Sequence, residues 1–210
     1  IKSSEDLKVI RYWYERASFK PEYALAERRK QLAGGDGLVL CYLPRSPFMQ
    51  MVAELAGIEA TTYVLMDEPD EFEETIKVIS ANADIAAQIA LDSPAECLMI
   101  PENLSSEVVG KSFFEVYMRP YEEKWNAKIR QAGKYSFVHM DGTMRGLIRE
   151  VSSTGFDVLE ALTPAPVGDI PMEELHKWVA SGTIIWGGIP GLYFTDLVED
   201  KEFDRFVISV

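Results

Sequence analysis

The chain has 210 residues, 47% hydrophobic and 26% charged, which is enough for one good-sized domain and marginal for two. A formal charge of −13 argues against nucleic acid as the main partner, because phosphate binding needs clustered Lys and Arg. No apolar stretch approaches the roughly 18 residues that span a bilayer, and no signal-peptide pattern opens the chain, so a soluble protein outside the membrane is expected.

In chain order, Ser3 and Ser4 are placed to cap a first helix whose Leu7, Ile10 and Tyr14 share a face. A second helix is expected from Pro21 to the Gly34-Gly35 stop. A strand over Leu38–Leu43 follows, then a helix opened by Ser46-Pro47 with Phe48, Met51, Val52 and Leu55 inward. Thr61–Met66 reads equally as strand or helix. A long helix is expected from Pro69 toward Leu91, with Phe72, Ile76, Ile79, Ala83 and Ala86 on its apolar side. Strand Cys97–Ile100 leads into the polar loop Glu102-Asn103-Leu104-Ser105-Ser106, whose serines can cap the next helix. Pro120 begins a new helix that ends at Gly133. Strand Tyr135–His139, helix Met144–Thr154 with a stop at Gly155, strand Phe156–Leu162, a helix from Pro171 and strand Thr183–Trp186 complete the pattern.

Strands alternating with helices imply βαβ units and a parallel sheet. The expected architecture is one α/β domain of (β/α)8 barrel type over residues 1–210. Five strands cannot close eight, and the apolar run Phe206–Val210 asks for burial, so truncation at one or both ends is expected. The other architecture is an open, doubly wound parallel sheet. Cys41 and Cys97 each sit inside an apolar run, which predicts buried, structural thiols in a reducing cytoplasm rather than a disulfide framework.

Chemistry concentrates at the strand ends. His139 and Asp141 close one strand, and an extended chain turns i and i+2 the same way. Glu160 closes the next strand, ahead of the stiff loop Thr163-Pro164-Ala165-Pro166-Val167-Gly168-Asp169. A His with carboxylates at consecutive strand ends is how α/β barrels build catalytic or metal sites, so His139, Asp141 and Glu160 are the candidate ligands of a zinc ion. The plainer reading is a His whose tautomer is fixed by Asp141. Glu102 and Asn103 end their own strand and could enter the same mouth, Glu102 as a third catalytic group and Asn103 as a substrate contact. Thr163 and the Gly187-Gly188 turn are further candidate substrate contacts, the glycines because they permit close backbone approach, although a plain tight turn explains them as well. His176 is expected on an exposed helix face. No nucleophile elbow, P-loop or paired C-x-x-C is present.

Several pieces, in order and spacing, resemble the uroporphyrinogen decarboxylase superfamily, which also contains methyltransferases acting between corrinoid proteins and thiols. They are Ile1 to Leu7, Ser93-Pro94, Glu102 to Ser106, Phe114-Glu115-Val116-Tyr117 through Pro120-Tyr121, His139-Met140-Asp141-Gly142, Gly155-Phe156-Asp157 and Trp186 to Pro190. The resemblance implies a (β/α)8 barrel with its site at the carboxyl ends of the strands. The methyltransferase branch carries His-x-Cys where this chain has His139-Met140-Asp141; a carboxylate in place of a thiolate makes the site harder. Carried over residue by residue, His139 is a ligand, Asp141 a substitute ligand and Glu160 a third. Arg130-Gln131-Ala132-Gly133-Lys134-Tyr135 looks like a decarboxylase-branch signature but straddles a helix end and a strand start, and is read as coincidence.

The leading expectation from this resemblance is a metal-assisted methyltransferase working with a corrinoid partner protein and a small acceptor, in which zinc activates the acceptor thiol. The alternative is metal-free decarboxylation of a porphyrinogen-like or other acidic small molecule with His139 as general acid. A third is a non-catalytic binding domain, and a homodimer is compatible with all three.

Overall fold

The computed structural model describes Ile1, residues 3–165 and residues 167–209. Lys2 of the opening motif, Pro166 of the stiff loop and Val210 of the terminal apolar run lie outside the described residues.

Helix α1 (Glu5–Tyr14) buries Leu7 completely. The expected serine cap is absent: the Ser4 side chain makes no capping bond, and the Asp6 carboxylate instead accepts the Ser3 N–H at 3.1 Å. Helix α2 starts at Ala24 rather than Pro21, runs to Ala33 and ends as expected at Gly34, whose φ of +55° suits a residue without a Cβ. Strand β1 is short, Leu40–Tyr42. Helix α3 (Pro47–Gln50) opens on Ser46, whose hydroxyl accepts the Met49 N–H, and widens into a π turn over Met51–Leu55. The ambiguous stretch is helical, as α4 (Gly57–Asp67), and α5 spans Pro69–Leu91 as expected.

Strand β2 (Cys97–Leu104) runs four residues past its expected end. A short α6 (Lys111–Phe113) and a π turn (Phe114–Met118) precede α7 (Arg119–Gln131), which carries Pro120 in its first turn, where a missing N–H costs nothing. Strand β3 is Tyr135–Met140. The next helix is shorter than expected, α8 covering only Ile148–Ser152. The Asp169 carboxylate accepts the N–H groups of Met144 and Arg145 and holds that segment as a turn. Strand β4 is Val158–Leu162, and the helix expected after Pro171 is a single 3-10 stretch, Met172–Lys177. Strand β5 (Ile184–Gly187) and helix α9 (Asp200–Ser209) complete the chain.

All five strands pair in parallel, in the order β1-β2-β3-β4-β5. A doubly wound sheet needs a point where the strand order reverses. Here none exists among the described residues, so the sheet winds one way, as a segment of a barrel does. Strand periodicity divides its two faces. Leu98, Ile100, Val138, Met140 and Leu159 face the helices and join the main core with Phe48, Phe72, Phe114, Trp125 and Ile129. There Phe48 stacks on Tyr117 at 5.3 Å and Phe72 meets the same ring edge-on at 5.7 Å. Cys97, Met99, Phe137 and Val158, with Leu40, form a separate small cluster on the opposite face. Cys97 is buried, Cys41 only partly so, and both are free thiols. No helix is long and apolar enough to cross a membrane among the described residues.

Candidate active site

Toward the carboxyl ends of the strands, the second face turns polar. Residues paired in parallel register sit side by side, so side chains of the same parity form rows across the sheet. One row runs His139 on β3, Glu160 on β4 and Trp186 on β5, each the register partner of the next. The row borders a cavity of about 310 Å³ lined by Tyr42, Arg45, Met99, Asn103, His139 and Glu160, with Pro101 between. This volume lies at the small end of ligand pockets, about 300–1,000 Å³.

Within it, His139 Nδ1 lies 2.5 Å from Glu160 Oε2. Both side chains are about one third exposed, at 34% and 28%. A carboxylate on Nδ1 places a proton there and leaves Nε2 as the nitrogen for substrate, proton or metal. The strands that carry this pair are locally distorted. Asn103 (φ 57°) and Ala161 (φ 62°) are the non-glycine residues with positive φ among the described residues, and they flank the pair on β2 and β4. Each lies inside a register shift, between Ile100 and Leu104 and between Glu160 and Leu162. Bulges re-aim side chains beside active sites, and left-handed alanine costs about 1–2 kcal/mol, so the surrounding structure must hold this shape.

Of the sequence-predicted residues, the structure brings together His139, Glu160 and Asn103. It does not bring Asp141 to them. Strand β3 ends at Met140, the Asp141 N–H is spent on Leu104 O at 2.7 Å, and its side chain is exposed. No group of three His, Cys, Asp or Glu side chains that could hold a metal exists among the described residues. The expected zinc triad therefore does not fit: its two associated members are bonded to each other and its third faces solvent.

Glu102 also departs from expectation. Counting by twos from Leu98 and Ile100, its side chain falls on the helix-facing side, where it is fully buried. It accepts the Ser46 N–H at 2.8 Å and the Ser46 hydroxyl at 3.1 Å. Burial pushes its carboxyl up to about 7. The Thr163 hydroxyl donates to Ala161 O, two residues earlier in the chain. Gly187 has a structural reason to be glycine: a Cβ there would come within 3.0 Å of Leu162 O, so it permits the close approach of β5 to β4. The Gly188 N–H donates to the same Leu162 oxygen. His176 is exposed, as expected.

Sequence reasoning missed Arg45, Tyr42, Met99 and Pro101. Tyr42 ends β1 and Arg45 comes three residues later, so the strand-end rule that found His139 would have found both. Arg45 donates to Glu54 Oε1 through Nη1 at 2.9 Å and is the cation among the cavity-lining residues.

A methyltransferase from Methanosarcina mazei has a similar structure, with a TM-score of 0.53 at 13% sequence identity. The superposition covers 86% of this chain and 60% of that one, so the chain spans about three fifths of that structure's length. The shared feature is the fold. No curated protein matches the chain. The family model for uroporphyrinogen decarboxylase (URO-D) matches residues 38–177, from β1 through the turn after β4 and including His139, Glu160 and the whole cavity lining. With about two thirds of its length under that match, the chain belongs to the uroporphyrinogen decarboxylase family.

Proposed function

We propose that His139 is the proton-transferring group of an enzyme that removes CO2 from a small acidic molecule. The observation that carries this is the 2.5 Å contact between His139 Nδ1 and Glu160 Oε2 in a strand-end cavity. Glu160 orients the ring and stabilises the imidazolium, and Nε2 delivers its proton to the substrate carbon as the bond to the departing carboxylate breaks. The electron pair of that bond stays on carbon and is taken up by the proton; solvent then recharges Nε2. Asn103, held by its bulge at the cavity wall, supplies hydrogen bonds that orient the substrate.

The test is CO2 release from a carboxylated tetrapyrrole such as uroporphyrinogen, with the metal content of the protein measured in parallel. His139→Gln is expected to lower kcat/KM by about 10²–10⁴, the range of general acid–base contributions. Glu160→Gln is expected to reduce kcat with a smaller effect on KM. Unchanged turnover in His139→Gln would remove the imidazole from the chemistry.

A second reading, metal-assisted methyl transfer from a corrinoid carrier, draws support from the fold shared with the M. mazei methyltransferase and from the carboxylate on His139 Nδ1. Metal-bound imidazoles are held in this way. It needs ligands beyond those the described residues bring together. Stoichiometric zinc that disappears in His139→Ala would favour it, and a protein that neither binds metal nor turns over would be a binding domain.

A further inference from the structure

Arg45 borders a second cavity, of about 290 Å³, between the end of α1 and the middle of α5. Its walls are largely apolar, from Trp13 and Phe19 on one side and Ile79, Ala83 and Ala86 on the other. Ile79 and Ala83 are buried core positions, whereas Trp13 is 59% exposed and forms a lip rather than a plug. Among the polar groups here, Asn82 is already engaged, its Nδ2 donating to Tyr14 O at 3.0 Å. Arg45 is not fully engaged. Its Nη1 serves Glu54, but its Nε is buried with no hydrogen-bond partner, and Nη2 makes no hydrogen bond among the described residues.

Nε and Nη2 lie along one edge of the planar guanidinium, the edge that takes a carboxylate through two parallel N–H···O bonds. A buried charged donor left unmet destabilises the fold, and a ligand that meets it recovers that loss. The charge balance selects the ligand. Glu54 already offsets part of the Arg45 charge, and the chain carries −13 overall, so a dianionic phosphate would meet net repulsion where a monoanion would not.

We propose that this cavity binds a small apolar monocarboxylic acid, its body between Trp13 and Ala83 and its carboxylate on the Nε–Nη2 edge of Arg45. The site shares Arg45 with the strand-end cavity but includes neither His139 nor Glu160, and it does not depend on the proton-transfer reading.

The probe is 2-naphthoate, compared by isothermal titration with 2-naphthalenemethanol, which keeps the ring and lacks the charge. One equivalent of naphthoate is expected to bind at least about tenfold more tightly than the alcohol, the scale of one charge-assisted contact. Arg45→Gln should bring the two affinities together. Ala83→Leu, which narrows the cavity without touching the cation, should weaken both by a similar factor. Glu54→Gln should strengthen naphthoate alone, and His139→Gln should change neither. Should Arg45→Gln fail to fold, Arg45→Lys keeps a cation without the fork and is expected to retain only part of the preference. Equal affinity for acid and alcohol in the unsubstituted protein would overturn the proposal. So would naphthoate binding that survives Ala83→Leu and disappears in His139→Gln, which would place the anion at the strand ends.

Discussion

Glu102 and Glu122 are both fully buried, their carboxyls are both pushed up out of the usual carboxylate range, and the Glu102 charge adds to the shift at Glu122. Burial is the leading cause for both; for Glu102 the Ser46 bonds and the Arg45 charge pull partly the other way. For Glu122 the Thr154 hydroxyl and the Arg119 charge pull partly the other way, but burial leads, which suits a neutral acid better than an anion. A carboxyl that holds its proton to about 7 in the fold but releases it near 4.3 once unfolded favours the native state most at low pH. That contribution is complete below the unfolded value and is lost as pH rises toward and through about 7. Urea denaturation is therefore expected to show stability from this group declining between about pH 5 and 8, with a shallower decline in Glu102→Gln. An identical slope in the variant would mean Glu102 is ionised in the native state throughout. The same residue marks the limit of what is legible in the candidate site. His139 and Glu160 can be read because each ends a run of strand-like residues one helix apart. Glu102 cannot, since Pro101 and Glu102 look like loop, and placing the strand's end at Ile100 discards the parity that buries Glu102. Asp141 is misplaced for the opposite reason: period two is extended one residue beyond the strand.

At the level of elements, Ser46 joins the two halves of the fold. Its hydroxyl accepts the Met49 N–H to start α3 while donating to Glu102 Oε2, and its own N–H meets Glu102 Oε1. Helix α3 is only four residues long before the π turn, so it depends on this anchor more than on propensity. Ser46→Ala removes the cap, worth typically ~1 kcal/mol, and leaves a buried carboxyl short of one donor. The expected cost is about 2 kcal/mol in denaturant unfolding, and Ser46→Thr should restore part of it; a loss below about 0.5 kcal/mol would show that the loop relaxes to another partner. Long elements are the readable ones. Helix α5 matches its expected ends because Pro69 can open it and its apolar stripe continues for six turns. The segments on either side of α8 read as one helix because their apolar spacing is helical, but Asp169, distant in sequence, captures the Met144 and Arg145 N–H groups. Tertiary hydrogen bonds of that kind leave no local trace. The π turns after α3 and before α7 are equally silent in the residue pattern.

For the whole molecule, the sheet's two faces carry different loads. Leu98, Val138 and Leu159 are fully buried beneath the helices, whereas Tyr42 and Trp186 on the cavity face are about 60% exposed. Stability therefore rests on the helix-facing layer, and the other face is free to hold chemistry. Around this frame lie 34 acidic and 21 basic side chains, so long-range repulsion competes with local ion pairs. The most exposed pairs, Lys8–Glu5 and Arg16–Glu15, have more than half of each side chain in solvent, and such pairs contribute about 0–1 kcal/mol each. Repulsion acts over the whole body. At 0.01 M salt the screening length, about 30 Å, exceeds the expected radius of gyration of roughly 17 Å, so excess acids across the molecule feel one another; at 0.15 M it falls to about 8 Å and they no longer do. Pairs in contact near 3 Å lose much less on the same change. The folded state, which concentrates the charge, gains more from screening than the expanded chain. Raising salt from 10 to 150 mM is thus expected to stabilise the protein by about 1 kcal/mol and to raise Tm by about 2–4 °C. Sodium chloride rather than sulfate is the salt to use, because sulfate strengthens apolar burial by itself. A Tm that falls over this range would mean that the ion pairs outweigh the net charge, and that Arg119 with Glu115 and Glu123, the most connected of them, is the network to dissect first.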